Sequence, residues 1–502
     1  MKKIPWMTII LAIAIIASLL LSYFLIFDAI PFYQLFMDTE VEETTQVVGE
    51  DNYTSDFYDN KTRTNLATTL YPTQVIINET ENVYLIHDPD LIASLISQLR
   101  ANQLIVTQNT VIEDVDAYYQ VINENHMQFV FANDFPVVTM DHYLDIQENQ
   151  QPAYTFNRII LPLGDSGKAY LVNSYDQSYL EVETPESLAN NMHGNAQNSR
   201  DAWLQADRFP IADEDFVYLP LNTVTLDAEE YLLQLIPETI YTDLVFRNHN
   251  TRFIRLSPSS SQTVSTYQSL DTILSFDTVT QTINIEYTTP EAEARLNFDQ
   301  RIRLSLDLVS DYDFWEEGIR YASQQGNMIV FRRYLNGLPV YYQNRTTPYG
   351  STRIYLENGS NDLSTSSVVA RLETSAVRLL AKIDDQSEAV ELETANEIYD
   401  MLTEQGLSFL NFSNVTLGYQ WMPEMENMTK VNFTPTWFFN YEGTYYSFNQ
   451  ISNGIINQLL EDEANQESEE TDTTGLDAQD PVAMFGADNS TVTAHARRQG
   501  GQ

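Results

Sequence analysis

The chain opens on an uncharged, mostly apolar run from Ile4 to Phe27, set between Lys2-Lys3 and Asp28. At about 1.5 Å of rise per residue, a helix of that length can cross a hydrocarbon core of roughly 30 Å. Every backbone amide in such a core must be bonded within the segment, so the run is expected to be helical, with Trp6 and Tyr23 near its ends as interfacial anchors. Basic residues precede the run and none follows until Lys61, which predicts a cytoplasmic end at 1–3 and an extracellular bulk. The run outlasts the 7–15 apolar residues typical of a cleaved signal peptide, and no small-x-small site follows it, so its retention as an anchor is expected.

After a polar, acidic stretch that reads as a stalk over 28–70, the pattern becomes periodic. Val75–Ile77 and Val83–Ile86 predict paired strands, and Asp88-Pro89 predicts the cap and first turn of a helix whose apolar face is Leu91, Ile92, Leu95, Ile96 and Leu99. Strands are expected at Gln128–Phe131 and Tyr154–Leu161. Asp227, followed three residues later by Glu230 and stopped by Pro237, predicts a short helix over Asp227–Ile236. Further strands are expected at Phe253–Leu256, Thr272–Phe276 and Thr282–Tyr287. Met328–Tyr334 and Pro339–Tyr342 predict a hairpin turning at Asn336-Gly337. Ala395, Ile398, Tyr399 and Leu402 mark a helix ended by a left-handed Gly406, and Val415–Trp421 and Thr436–Phe439 predict closing strands. Strands in hairpins between scattered helices predict an α+β fold with antiparallel sheets. The expected domains are an N-terminal one at 71–215, a middle one at 216–310 and a C-terminal one at 311–458, with an acidic disordered tail at 459–502.

Composition changes this picture in two ways. There is no cysteine among 502 residues, which removes disulfides, thiolate metal sites and cysteine nucleophiles. Asp and Glu number 71 against 26 Lys and Arg, a formal charge of −45, so electrostatic binding to nucleic acid is excluded.

Candidate chemistry is sparse. Gly164-Asp165-Ser166-Gly167 matches the nucleophile loop of trypsin-like proteases, but that chemistry needs a histidine base, and His126 and His142 lie in the wrong local context. The string reads better as a turn between strands Arg158–Leu163 and Ala169–Ser174. His87-Asp88-Pro89-Asp90 is explained by the helix cap, and the remaining histidines lack metal-ligand spacing, so no metal and no cofactor is expected. In the anchor, Ala14, Ser18 and Ser22 form a small-residue stripe on which another helix could pack, although Ala and Ser are common in any anchor.

One stretch carries a resemblance. Val330-Phe331-Arg332-Arg333-Tyr334-Leu335-Asn336-Gly337-Leu338-Pro339-Val340 is similar to the YycH family, supported by Tyr71–Ile76, Tyr267–Tyr287, Leu417–Trp421 and Pro435–Phe439. The hairpin residues Arg332, Arg333, Asn336, Gly337 and Pro339 carry it as structural positions. The resemblance implies a non-enzymatic regulator of the two-component system WalK/WalR (YycG/YycF) in Gram-positive bacteria. Its partners would be the sensor histidine kinase WalK and a YycI-like protein, and the process would be cell-wall metabolism. A wall-associated surface hydrolase or an extracellular ligand-binding protein remains the alternative, which a pocket of converging polar groups would favour.

Overall fold

The computed structural model describes residues 69–461, apart from 81, 87, 108–109, 141–142, 147–152, 165, 248–252, 257–262, 290–295, 312–318, 344–347, 359–367, 384–387 and 424–428. The chain divides into two compact units, Met1–Phe57 and Tyr58–Gln502, and every described residue belongs to the second. The expected anchor at 4–27, with Ala14, Ser18 and Ser22, lies outside the described residues, as does the tail from 462 onward. Among the described residues no helix is long and apolar enough to cross a membrane.

The fold is mixed α+β, with large sheets and few helices. An 11-stranded sheet holds the N-terminal half. At its centre Gln74–Glu79 pairs antiparallel with Asn82–Ile86 on one side and with His126–Pro136 on the other. The sequence dictates how this sheet is covered. Successive side chains of a strand point to opposite faces, and here both faces are apolar: Val75 and Ile77 enter one core, Ile76 the other. Helix Pro89–Ala101 covers the first face with Ile92, Leu95, Ile96 and Leu99. Its cap is the one expected, with Leu91 N donating to Asp88 Oδ1 at 2.7 Å and Pro89 in the first turn. Helix Val115–Asn123 covers the other face with Tyr118, Val121 and Ile122.

The strands from Val224 to Ser447 form one 15-stranded sheet, so segments of the expected middle and C-terminal domains share a single hydrogen-bonded array through the pairing of Thr282–Thr289 with Val368–Ser375. The Asn336-Gly337 hairpin is present, joining Met328–Leu335 to Leu338–Tyr341 with φ of 48° and 80° at the two turn residues, the double left-handed geometry such turns require. Helix Ala395–Glu404 forms with a complete Thr394/Glu397 capping box, and Gly406 follows at φ 71°.

Three expectations need correction. Residues Asp227–Ile236 are not helical: Val224–Leu235 is a strand pairing with Lys430–Tyr441, Glu388–Leu392 and Val377–Lys382. Its acids serve neighbouring strands instead of a helix cap. Glu229 bonds Lys382 Nζ at 2.7 Å and Glu230 bonds Lys430 Nζ at 2.8 Å, so tertiary pairing overrides local propensity. The pairing is also not wholly antiparallel, since Leu338–Tyr341 runs parallel to Asn414–Pro423, and Leu104–Val106 parallel to Leu144–Ile146. Finally, the helix over 455–461 runs three residues, 459–461, into the expected tail.

The halves share one core. Met127, Phe129 and Phe135 from the first sheet pack in the same cluster as Phe276, Tyr321 and Phe331 from the second and Ile302 from helix Phe298–Asp311. Polar contacts cross the same boundary: Ala212 N donates to Phe412 O at 2.9 Å, and Arg303 Nη2 to Val138 O at 3.4 Å. The Arg320 guanidinium lies 4.3 Å from the rings of both Tyr71 and Tyr334, a cation held between faces from the two halves.

Candidate functional site

The two halves together line a cavity of about 440 Å³. Strands His126–Pro136 and Thr155–Pro162 supply Asn133 and Arg158 from the N-terminal side, and Met328–Leu335 and Leu338–Tyr341 supply Arg332, Pro339 and Tyr341 from the other. Such a volume falls in the range of small-molecule pockets.

Arg158 follows Asn157 in the mostly apolar run Phe156 to Leu161, and its side chain is 4% exposed. Burying a guanidinium requires a counter-charge. Asp215 supplies it at 2.8 Å, 7% exposed, and itself accepts from Ser174 Oγ at 3.0 Å and from Phe216 N at 2.7 Å. Arg158 Nη2 also donates to Phe216 O at 2.9 Å, with the guanidinium 4.1 Å over the Phe216 ring. Burial, the largest single effect, would lower the arginine's pKa; the Asp215 charge together with the neighbouring Tyr218, Tyr118 and Tyr175 outweighs it and holds the pKa above its ordinary value. Nε and Nη1 of Arg158 are buried without an acceptor.

Across the cavity, the Arg332 guanidinium stacks 4.1 Å from the Tyr341 ring and 5.5 Å from Tyr445. Its Nη1 donates to Val340 O at 3.1 Å, and no carboxylate pairs with it among the described residues. Tyr341 is itself fixed by Phe438 at 4.2 Å and Tyr445 at 4.5 Å, and burial pushes its hydroxyl pKa well up. Arg353, a third lining cation, lies 4.0 Å from Glu373.

The hairpin residues singled out from sequence are divided by the strand alternation. Arg332 and Pro339 line the cavity. Arg333 points the other way, with its guanidinium 5.1 Å over Trp421 and Nη2 donating to Val377 O at 3.2 Å. Asn336 at the tip donates to the buried Glu229 at 2.7 Å. Gly337, beside it, meets Pro89. Arg158, Asp215, Tyr341 and Tyr445 escaped the sequence reading. A charged residue inside the Phe156–Leu161 run, beside Asn157 and among four apolar residues, is a local mark of one of them; the others are joined only by tertiary structure.

Among the described residues no histidine or carboxylate bonds to Ser166, whose exposed Oγ accepts from Lys168 N at 3.3 Å inside the turn. Strands Thr155–Pro162 and Lys168–Asn173 flank that turn. His126 is buried against Glu124 O and Gln128, and His193 pairs with Glu79. Among the described residues no group of His, Cys, Asp and Glu is placed to hold a metal. Burial raises the carboxyl pKa values of Asp134 and Glu393, and neither residue lines the cavity.

Two families match the sequence. The YycH protein N-terminal domain matches residues 6–199, and the YycH protein C-terminal domain matches residues 214–453. No curated protein is detectably similar in sequence. Among solved structures, YycH from Bacillus subtilis has the same fold, with a TM-score of 0.60 at 15% identity over 76% of this chain and 96% of that one. With family matches over most of its length, the chain is a member of the YycH family, which implies a regulator of the WalK/YycG system.

Proposed function

We propose that the chain is a non-enzymatic, membrane-anchored protein that modulates a sensor histidine kinase controlling cell-wall metabolism, through protein–protein contacts. The observation that carries this reading is the pair of YycH domain matches, 6–199 and 214–453. The kinase WalK and a YycI-like protein are the proposed partners. The uncharged run 4–27 supports a single-pass anchor with the bulk outside, and Ala14, Ser18 and Ser22 are the proposed contact stripe on that helix. Crosslinking of the full-length chain in cells, followed by identification of bound membrane proteins, is the direct test. Recovery of the kinase, weakened by Ala14→Leu with Ser18→Leu, is expected; a crosslinked fraction without any kinase would overturn the reading.

The cavity favours a second reading as well, that of an extracellular ligand-binding protein, because polar and aromatic groups from both halves converge on it. The two readings are compatible, since a regulator can be responsive to a ligand.

A further inference from the structure

The chain carries 71 acidic residues and 26 basic ones, yet the cavity wall inverts that balance. Its charged residues are Arg158, Arg332, Arg353 and Asp215. Asp215 answers Arg158, and Glu373, outside the wall, stands 4.0 Å from Arg353. Among the described residues Arg332 has no carboxylate partner, and the one hydrogen bond of its side chain is Nη1 to Val340 O, so Nε and Nη2 are without an acceptor there. Its stack on Tyr341 fixes the plane of the guanidinium. A planar fork held in place with free donors is suited to bidentate capture of a carboxylate or phosphate. Arg158 stands in the same wall, with its Nε and Nη1 buried and without acceptors.

The rest of the lining specifies the body of the ligand. Amide side chains such as Asn133, Gln324 and Asn440 alternate with tyrosine rings, including Tyr341 and Tyr445. Amides bond hydroxyl and amide groups, and aromatic faces pack on the flat apolar side of a ring. We propose that this cavity binds a small anion, with one carboxylate or phosphate on a compact hydroxyl- or amide-bearing body, and that Arg332 anchors its charge. Because the wall is built from both halves of the chain, an occupant would bridge them and stabilise their packing.

The test is a titration of the full-length chain in detergent at constant ionic strength, read by ligand-observed NMR and by thermal unfolding, and it needs no kinase. The probes are D-glucuronate, D-glucose and inorganic phosphate. Glucuronate or phosphate should bind saturably and raise the melting temperature, with glucose at least about tenfold weaker. Arg332→Gln should weaken the anion at least about tenfold, and Arg332→Lys less, because the charge survives without the fork. Thr444→Trp, which fills the cavity and leaves every arginine in place, should abolish binding. Circular dichroism identifies a variant that has not folded, and in that event the other variants decide. Absence of saturable binding by either anion, or equal affinity for glucuronate in wild type and in folded Arg332→Gln and Thr444→Trp, would overturn the proposal.

Discussion

Gly337, at the tip of the Met328–Leu335/Leu338–Tyr341 hairpin, is pressed against Pro89 at the start of helix Pro89–Ala101: a Cβ at position 337 would lie 3.1 Å from Pro89 Cβ. The hairpin tip of the C-terminal sheet therefore rests on the helix of the N-terminal sheet. The proline ring cannot rotate out of the way, unlike the end of a long side chain.

Gly337→Ala should accordingly cost stability twice. Its φ of 80° is strained for any L side chain, a cost of about 1–2 kcal/mol, and crowding against Pro89 adds a further overpacking penalty of about 1 kcal/mol or more. Gly326→Ala separates the two effects. That glycine has φ 57° with nothing within 4 Å of an added Cβ, so it carries backbone strain alone. Urea unfolding should rank Gly337→Ala as the more damaging of the two. Equal losses would mean that the Pro89 contact yields freely.

These elements also mark where the sequence was legible. Short-range chemistry was readable: the Asp88 cap and the Asn336-Gly337 turn each involve residues within three positions of one another. The same local logic failed at Val224–Leu235. There Asp227 and Glu230 mimic a helix start, but the segment lies between strands that come more than a hundred residues later. The helices Val115–Asn123 and Phe298–Asp311 passed unrecognised, and the parallel pairing of Leu338–Tyr341 with Asn414–Pro423 has no local mark at all. The cavity is the extreme case. Its wall runs from Thr73 to Tyr445, and only Arg332 and Pro339 had been singled out, for their place in a family-like hairpin and not for their neighbours.

The Arg158–Asp215 pair predicts a second outcome. Both side chains are nearly inaccessible, so Asp215→Ala leaves a guanidinium charge buried with no counter-charge. Removing one partner of a buried pair typically costs about 3–5 kcal/mol. Chemical denaturation of Asp215→Ala should show a loss of that size. The double change Arg158→Met with Asp215→Ala, which removes both charges, should recover part of it. A loss below about 1 kcal/mol for Asp215→Ala would indicate that water reaches the arginine.

Ser166 should tolerate replacement. Among the described residues its hydroxyl bonds only Lys168, within the turn, and it is exposed. Ser166→Ala is expected to change stability by no more than about 0.5 kcal/mol and to leave any cellular phenotype of the gene intact. A folded, abundant Ser166→Ala protein that fails to complement a deletion strain would instead restore the hydrolase alternative.

The last prediction concerns acid. His126 begins strand His126–Pro136 on the face covered by helix Val115–Asn123, and it is fully buried. Burial lowers its pKa to about 4, against the raising effect of its bonds to Glu124 O and Gln128. In the unfolded chain the same ring titrates near about 6.5. Between those two values the unfolded state binds a proton that the folded state refuses, so stability falls as the medium is acidified. The contribution is unperturbed above about pH 6.5, declines from there to about pH 4, and is constant below it, amounting to about 3 kcal/mol in all. His126→Gln keeps a polar side chain for the Glu124 and Gln128 partners and removes the titration. Unfolding free energies of the two proteins, measured by urea at intervals across this window, should therefore converge or cross as the pH falls, with wild type losing the more. Parallel curves would show that His126 takes its proton in the folded state as readily as in the unfolded one, and that the acid sensitivity of the fold resides in its carboxylates.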